Sequence, residues 1–269
     1  MASKDAGIPA GTCGLRARHP PPQTHGAKFV RSGDPRLSIE KVADISRKSR
    51  ERPGRYPVDR LSHTITMRSI IAPCKALASI MTVLTTPRLT LRHWRESDLE
   101  SFATLNADPV TMEFMARCLS REESDAFARW AEADIERRGW GLWAAEARAP
   151  GQFIGCVGLA VPAFHAHFTP CVEIAWRLRR ESWGQGFATE AGRECLRFAF
   201  ERLTLPEVVA FTVPANTRSR AVMERLGMQR DAGGDFDHPR LPLRHALSRH
   251  VLYRLSAPQW CLRAAARAP

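Results

Sequence analysis

Two glycines set between a strand pattern and a helix pattern constrain this chain more than any other feature. They are Gly184 and Gly186, in the run Trp183-Gly184-Gln185-Gly186-Phe187-Ala188-Thr189-Glu190. The residues before them, 171–178, place Val172, Ile174 and Trp176 on one face, as a half-buried strand does. Those after them, 188–202, repeat with helical period, with Cys195, Phe198, Ala199 and Leu203 on the apolar side. Glycine lets a backbone turn sharply and approach a ligand closely, and the first N–H groups of a helix have no internal partners. The positive end of the helix dipole adds to them, so the loop reads as an anion site suited to a pyrophosphate. A dinucleotide fingerprint is excluded, because Thr189 stands where its third glycine belongs, and the Gly-Lys-Ser/Thr of a P-loop is absent. A strand–helix turn that needs glycine for geometry alone is the bland alternative.

The surrounding pattern is that of one α/β domain over residues 81–258. Residues 87–92 alternate as a strand, and 98–106 form a short amphipathic helix. Ser120-Arg121-Glu122-Glu123 is a capping box opening a helix that runs to about Arg138, where Gly139 ends it. Strands near 140–147 and 153–160 are joined by Pro150-Gly151 as an antiparallel hairpin. Further on come a strand at 208–213, a helix at 217–226 stopped by Gly227, and a strand at 250–255. The order β-α-α-β-β-β-α-β-α-β predicts a mixed, mostly antiparallel central sheet flanked by helices. The run Asp231-Ala232-Gly233-Gly234-Asp235-Phe236-Asp237 lacks full calcium-loop spacing and reads as a loop. Residues 259–269 read as a C-terminal tail.

A second motif follows the glycine loop about 30 residues later, in the run Val213-Pro214-Ala215-Asn216-Thr217-Arg218-Ser219-Arg220-Ala221-Val222-Met223-Glu224-Arg225-Leu226-Gly227-Met228. In this order the two motifs resemble the GNAT superfamily of acyl-CoA N-acyltransferases, and look most like its ribosomal-protein alanine N-acetyltransferase branch. The opening Thr86-Pro87-Arg88-Leu89 and the closing 249–255 are similar to that branch too. The resemblance implies a pantetheine arm lying between two splayed parallel strands, 171–178 and 208–213, and bonded to the backbone of Ile174, Ala175 and Trp176. It implies the pyrophosphate of acetyl-CoA, as co-substrate, on the backbone amides of Gly184, Gln185, Gly186, Phe187 and Ala188, with Trp183 beside them among the cofactor-binding residues. It also implies contacts from Asn216 to the pantetheine amide and from Ser219 near the thioester. Glu181 replaces the Gln or Arg frequent three residues before the first glycine, which affects a side-chain contact and not the backbone cradle. Asn216 is equally a favoured helix N-cap, and both roles can hold.

An amine acceptor must lose a proton before it attacks a thioester, and the thiolate must then leave. Glu173, on the strand beside the expected thioester, is the candidate base, directly or through water; a salt-bridged strand carboxylate is its alternative role. The family often places a tyrosine acid where this chain has Met223, and Tyr253 reads as structural. Ser219, water or the incoming amine is left to protonate the thiolate. No metal is expected: His165 and His167 lack matching ligands and read as part of a mobile acceptor loop, and His238, His245 and His250 are dispersed. Trp94, Trp130, Trp140, Trp143 and Trp176 read mostly as core. The expected function is acetyl transfer to a primary amine, a peptide N-terminus or small molecule, in a ternary complex. A catalytically inactive CoA-binding regulatory module is the alternative.

The net charge of +12 suggests nucleic acid, but its distribution argues otherwise. Residues 1–80 carry a net +9 and the rest of the chain only +3, so the folded part has no basic-groove signature and nucleic acid is not expected as a partner. The basic stretch 1–80, rich in Pro, Gly, Arg and Ser, reads as a disordered extension. Met81 is a possible true start, and a transit peptide is the lesser alternative. Seven cysteines without paired spacing fit reduced thiols. With no secretory core and no spanning stretch, the chain is expected to be soluble and cytoplasmic, a monomer or homodimer without a membrane partner.

Overall fold

The computed structural model describes residues 82–242 and 244–266; the extension over 1–80 lies outside them. The strands are β1 (Leu84–Thr85), β2 (Leu89–Arg92), β3 (Leu142–Ala147), β4 (Gln152–Ala160), β5 (Glu173–Leu178), β6 (Glu207–Thr212), β7 (Gln229–Asp237) and β8 (Arg249–Ser256). The helices are α1 (Leu99–Ala107), α2 (Arg121–Arg138), α3 (Phe187–Arg197), α4 (Thr217–Leu226) and α5 (Ala257–Ala265). One eight-stranded sheet runs in the order β1-β2-β3-β4-β5-β6-β8-β7. Every neighbouring pair is antiparallel except β5 and β6. The mixed, mostly antiparallel architecture is therefore the expected one.

Strand alternation divides the core between the two faces of the sheet. Ile174 and Leu178 of β5, and Val172 just before it, enter the largest cluster, with Val157, Leu159, Cys195, Leu196, Met223, Leu226 and Tyr253. Ala175, on the opposite face, joins a cluster with Ala131, Leu142 and Ala160. Leu99, Phe102, Leu105, Ala128, Phe153 and Cys156 form a further cluster where α1 and α2 cover the sheet. Each fully buried leucine such as Leu159 or Leu196 contributes about 1.5–3 kcal/mol relative to exposure, so these faces fix the register of β5. The capping box forms as expected: Glu123 N–H donates to Ser120 Oγ at 3.3 Å and Ser120 N–H to Glu123 Oε2 at 2.9 Å.

Three expectations are corrected. The segment Gln229–Asp237, read from 231 onward as a loop, is edge strand β7. Asp231 pairs with Leu252 and Phe236 with His250, and an irregularity between them takes up the polar, glycine-rich residues that hid the strand. The C-terminal tail begins as helix α5, anchored by Trp260 stacked on Phe200 at 5.6 Å and by Gln259 Oε1 accepting from Ser256 N at 2.9 Å. The helix expected to run to 202 continues past Arg197 as a π-turn, Phe198–Arg202. Among the described residues, no helix is long and apolar enough to cross a membrane.

Candidate active site

The loop between β5 and α3 takes its shape from two left-handed residues, Gly184 at φ 73° and Gly186 at φ 81°. A side chain at either would be strained, and nothing lies within 4 Å of where a Cβ at Gly184 would stand. Among the described residues, the amides of Gly184, Gln185, Gly186, Phe187, Ala188 and Thr189 find no acceptor, while Glu190 N is the first to bond back, to Gly186 O at 2.9 Å. Six free donors thus stand at the positive end of α3, open to an anion. Side chains brace the loop from behind. Trp183 Nε1 donates to Leu178 O at 2.8 Å, and the Arg218 guanidinium lies 4.5 Å from the Trp183 ring centre. Arg88 sits over Phe187 at 4.7 Å and donates from Nη1 to Gln185 O at 3.0 Å.

Glu190 ties this loop to the start of the domain. Its carboxylate accepts from Thr86 Oγ1 at 2.6 Å, Arg88 N at 2.9 Å and Arg88 Nε at 2.6 Å. Although burial opposes ionisation, these donors hold its carboxyl below the usual value. The Thr86-Pro87-Arg88 turn and the glycine loop, 100 residues apart in sequence, are one construction. The Gln185 side chain turns back, Nε2 donating to Glu181 O at 2.7 Å, which leaves its backbone amide as its group toward the cradle.

Next to the cradle the sheet opens. β5 and β6 share a single register pair, Glu173 with Val209, closed by Val209 N donating to Val172 O at 3.0 Å. Beyond it the β6-facing edge of β5 has no strand partner, so its backbone can receive an extended ligand as an added strand. Asn216 and Ser219 stand across this gap at the start of α4. Asn216 caps the helix, accepting from Ser219 N at 3.1 Å, and its Nδ2 donates to Thr212 Oγ1 at 3.1 Å. Met223 is only 2% exposed and belongs to the core.

These elements surround one cavity of about 1580 Å³. Ile174, Ala175, Trp176, Trp183, Gly184, Gly186, Phe187, Ala188, Asn216 and Ser219 all line it, and so does Glu173; among the expected residues Gln185 does not. Burial pushes the Glu173 carboxyl up to about 8, opposed only weakly by Arg240. That carboxyl is therefore mostly protonated at pH 7, and only its carboxylate fraction, which grows as pH rises toward 8, can take a proton.

The far side of the cavity was missed in sequence. His238 and His250 were read as dispersed, yet their ring centres lie 5.1 Å apart and both line the cavity with Phe164 and Phe211. β7 and β8 bring them together, which a loop at 231–237 could not do. Burial lowers both imidazoles, His238 to about 4, so both are neutral at pH 7. Neutral His250 donates from Nδ1 to Ser248 O at 2.9 Å, leaving Nε2 as an acceptor. Trp130, expected in the core, is 48% exposed and lines the cavity with Phe127 from α2. Arg88, Arg193, Arg218 and Arg225 also border it; three of the four lie in the motifs quoted from the sequence, but only the fold gathers them into a cationic rim. Among the described residues, no group of three or more His, Cys, Asp or Glu is placed to hold a metal ion.

Comparison with known proteins points the same way. The profile of an "Acetyltransferase (GNAT) domain" matches residues 88–229. The chain is 31% identical over 148 residues to the uncharacterized protein YkkB of Bacillus subtilis, covering 55% of this chain and 85% of that one. It is 34% identical over 152 residues to the FsC-acetyl coenzyme A-N(2)-transacetylase of Aspergillus fumigatus, covering 54% and 64%. Among solved structures, an acetyltransferase from Agrobacterium tumefaciens is 25% identical with a TM-score of 0.52, covering 74% of this chain and 99% of that one. A GNAT-family acetyltransferase from Bacillus anthracis shares the fold at 21% identity and TM-score 0.54, covering 66% and 99%.

Proposed function

This chain belongs to the GNAT family of acetyltransferases, enzymes that use acetyl-CoA, and on that footing we propose that it acetylates a primary amine by direct transfer, with Glu173 as the proton acceptor. The acceptor is a peptide N-terminus or a small molecule. The observation that carries the proposal is Glu173 itself, a carboxyl pushed up to about 8 on the floor of the cavity that the glycine cradle borders. A base is most useful when its affinity for protons lies near the working pH. The cavity volume supports simultaneous occupancy, since a single small-molecule site takes about 300–1,000 Å³.

The chemistry balances with this chain's own groups. An ammonium acceptor gives a proton to the Glu173 carboxylate, directly or through water. The freed nitrogen lone pair forms a bond to the thioester carbonyl carbon, and collapse of the adduct breaks the carbon–sulfur bond. The nitrogen of the adduct sheds its second proton as the bond breaks, and the thiolate takes up that proton, either directly or relayed through water or the hydroxyl of Ser219, a residue that lines the cavity. Cradle amides hold the pyrophosphate through all steps, and the free edge of β5 positions the pantetheine amides.

The test is release of free thiol from acetyl-CoA across a panel of primary amines, with the wild-type protein and Glu173→Gln. The expected outcome is amine-dependent release that falls by about 10²–10⁴ in kcat in the variant, with acetyl-CoA affinity unchanged. Burial of Met223, where a proton donor is frequent in the family, favours a second reading as a binding module. Tight acetyl-CoA binding with no amine turnover, indifferent to Glu173→Gln, would select that reading.

A further inference from the structure

We propose that Arg177 binds a carboxylate carried by the amine acceptor, several bonds away from the amine, so that the acceptor is an acidic amine such as a short free peptide or an ω-amino acid. This rests on the acetyl-transfer reading above and names the substrate class of the same site.

Arg177 lies on β5 four residues after Glu173, and alternation puts both on the same face, with Ala175 between them. Its guanidinium is held in place without being neutralised. Nη1 donates to Asn106 Oδ1 at 2.7 Å, and Asn106 is itself fully buried and anchored by Nδ2 donating to Ser124 Oγ at 2.9 Å. The guanidinium carbon lies 5.3 Å from the Phe127 ring centre. Nε is enclosed and has no partner. No carboxylate of the described residues forms an ion pair with Arg177, and burial lowers its affinity for its proton.

The same fold shows what a buried arginine ordinarily receives. The Arg92 side chain, 7% exposed, pairs with two acids: Asp98 at 2.7 Å and Glu146 at 2.8 Å. Arg177 is enclosed at Nε, borders the cavity and has no acid at all. A half-buried cation whose Nε is enclosed, and whose Nη2 meets only the Met115 sulfur at 3.8 Å, lacks a counter-charge at some cost, and the planar fork of arginine matches a carboxylate two-point. The missing anion is therefore expected from a ligand.

That ligand is the acceptor and not the coenzyme. The residues of β5 that pack with α3 and its cradle are Ile174 and Leu178, and Arg177 points to the opposite face, where Asn106 of α1 and Phe127 of α2 meet it. Glu173 and Arg177 are four strand positions apart, about 13 Å between Cα atoms. One α-amino acid is too short to reach both ends with its amine and its own carboxylate, since each residue spans about 3.3–3.6 Å.

The experiment uses glycine, diglycine, triglycine and tetraglycine, each as the free acid and as the C-terminal amide, with the full chain and with Arg177→Met. The expected result is that kcat/KM for the longer free acids exceeds that for their amides at least tenfold, through KM, while glycine shows no such gap. Arg177→Met should erase the preference without changing acetyl-CoA affinity, and Arg177→Lys should keep part of it. Calorimetry with N-acetyl-triglycine and its amide reads the same preference without turnover, so it stands even if no amine is acetylated, a result that would defeat the catalytic reading alone. Equal handling of acids and amides by the wild type, in turnover or in calorimetry, overturns the proposal. So does a preference that survives intact in Arg177→Met.

Discussion

The two ends of the cavity are built on different principles. The end proposed for the coenzyme is made of backbone: unpaired amides at the start of α3, two left-handed glycines and the free edge of β5. The end proposed for the acceptor is made of side chains from separate elements, with Glu173 and Arg177 from β5, Phe127 and Trp130 from α2, Phe164 from a loop, and His238 and His250 from the β7–β8 edge. A backbone site recognises a feature common to every reaction of the family and tolerates changes of side chain around it. A side-chain site can be rebuilt residue by residue, which is why acceptor identity varies on a shared scaffold.

The largest effect expected from this contrast lies where the two ends meet. With Glu173 as base, kcat/KM should climb about tenfold per pH unit below pH 8 and level off above it. Glu173→Gln should flatten that limb, and a wild-type profile already flat between pH 6 and 8 would detach the carboxylate from the chemistry. The linked stability change has the opposite sense. The folded state binds this proton more tightly than the unfolded chain, so the contribution is full below the ordinary carboxylate value. It is lost as pH rises toward 8, and the Tm of the ligand-free protein should drop over that interval more than the Tm of Glu173→Gln.

Next in size is Gly186→Val. Strain at a positive φ costs about 1–3 kcal/mol, and if the ordered cradle is where it is felt, acetyl-CoA affinity should weaken about 10- to 100-fold by calorimetry. Acceptor KM should stay within a factor of two or so. Equal losses at both substrates would mean that the two ends are not separable. The smallest expected effect is Asn216→Ala. As a helix cap it should cost about 1 kcal/mol, a fall of about 2–4 °C in Tm for a domain of this size. A tenfold loss of acetyl-CoA affinity without that fall would instead assign Asn216 to the coenzyme.

The same contrast governs what could be read before the structure. The glycine cradle, α3 and the Asn216 cap are local: the spacing of Gly184, Gly186 and Glu190 carries their geometry, and the family resemblance follows from it. Strand β7 was hidden because an irregular edge strand containing Asp231, Gly233, Gly234 and Asp235 has the composition of a turn. Missing it separated His238 from His250, and with them went half of the acceptor wall. Trp130 was assigned to the core because its size suggests burial, whereas in α2 it faces the cavity. Arg177 gave no signal at all, since the absence of an acid beside it exists only in three dimensions. The Glu190 clamp on Arg88 is the intermediate case: both residues sat inside quoted motifs, and their pairing depended on long-range topology.

The lone rung between Glu173 and Val209 has a mechanical consequence. It divides the hydrogen-bonded sheet into two panels, β1 to β5 and β6-β8-β7, joined by one strand-register pair and by the core they share on one face. A pantetheine arm laid into that seam acts as a zip, so the coenzyme should slow hydrogen exchange in β5 and β6 far from its own phosphates. At a concentration a hundred times its dissociation constant it would add about 2.7 kcal/mol to the folded state, supplying along the seam the backbone bonds that the two strands do not give each other.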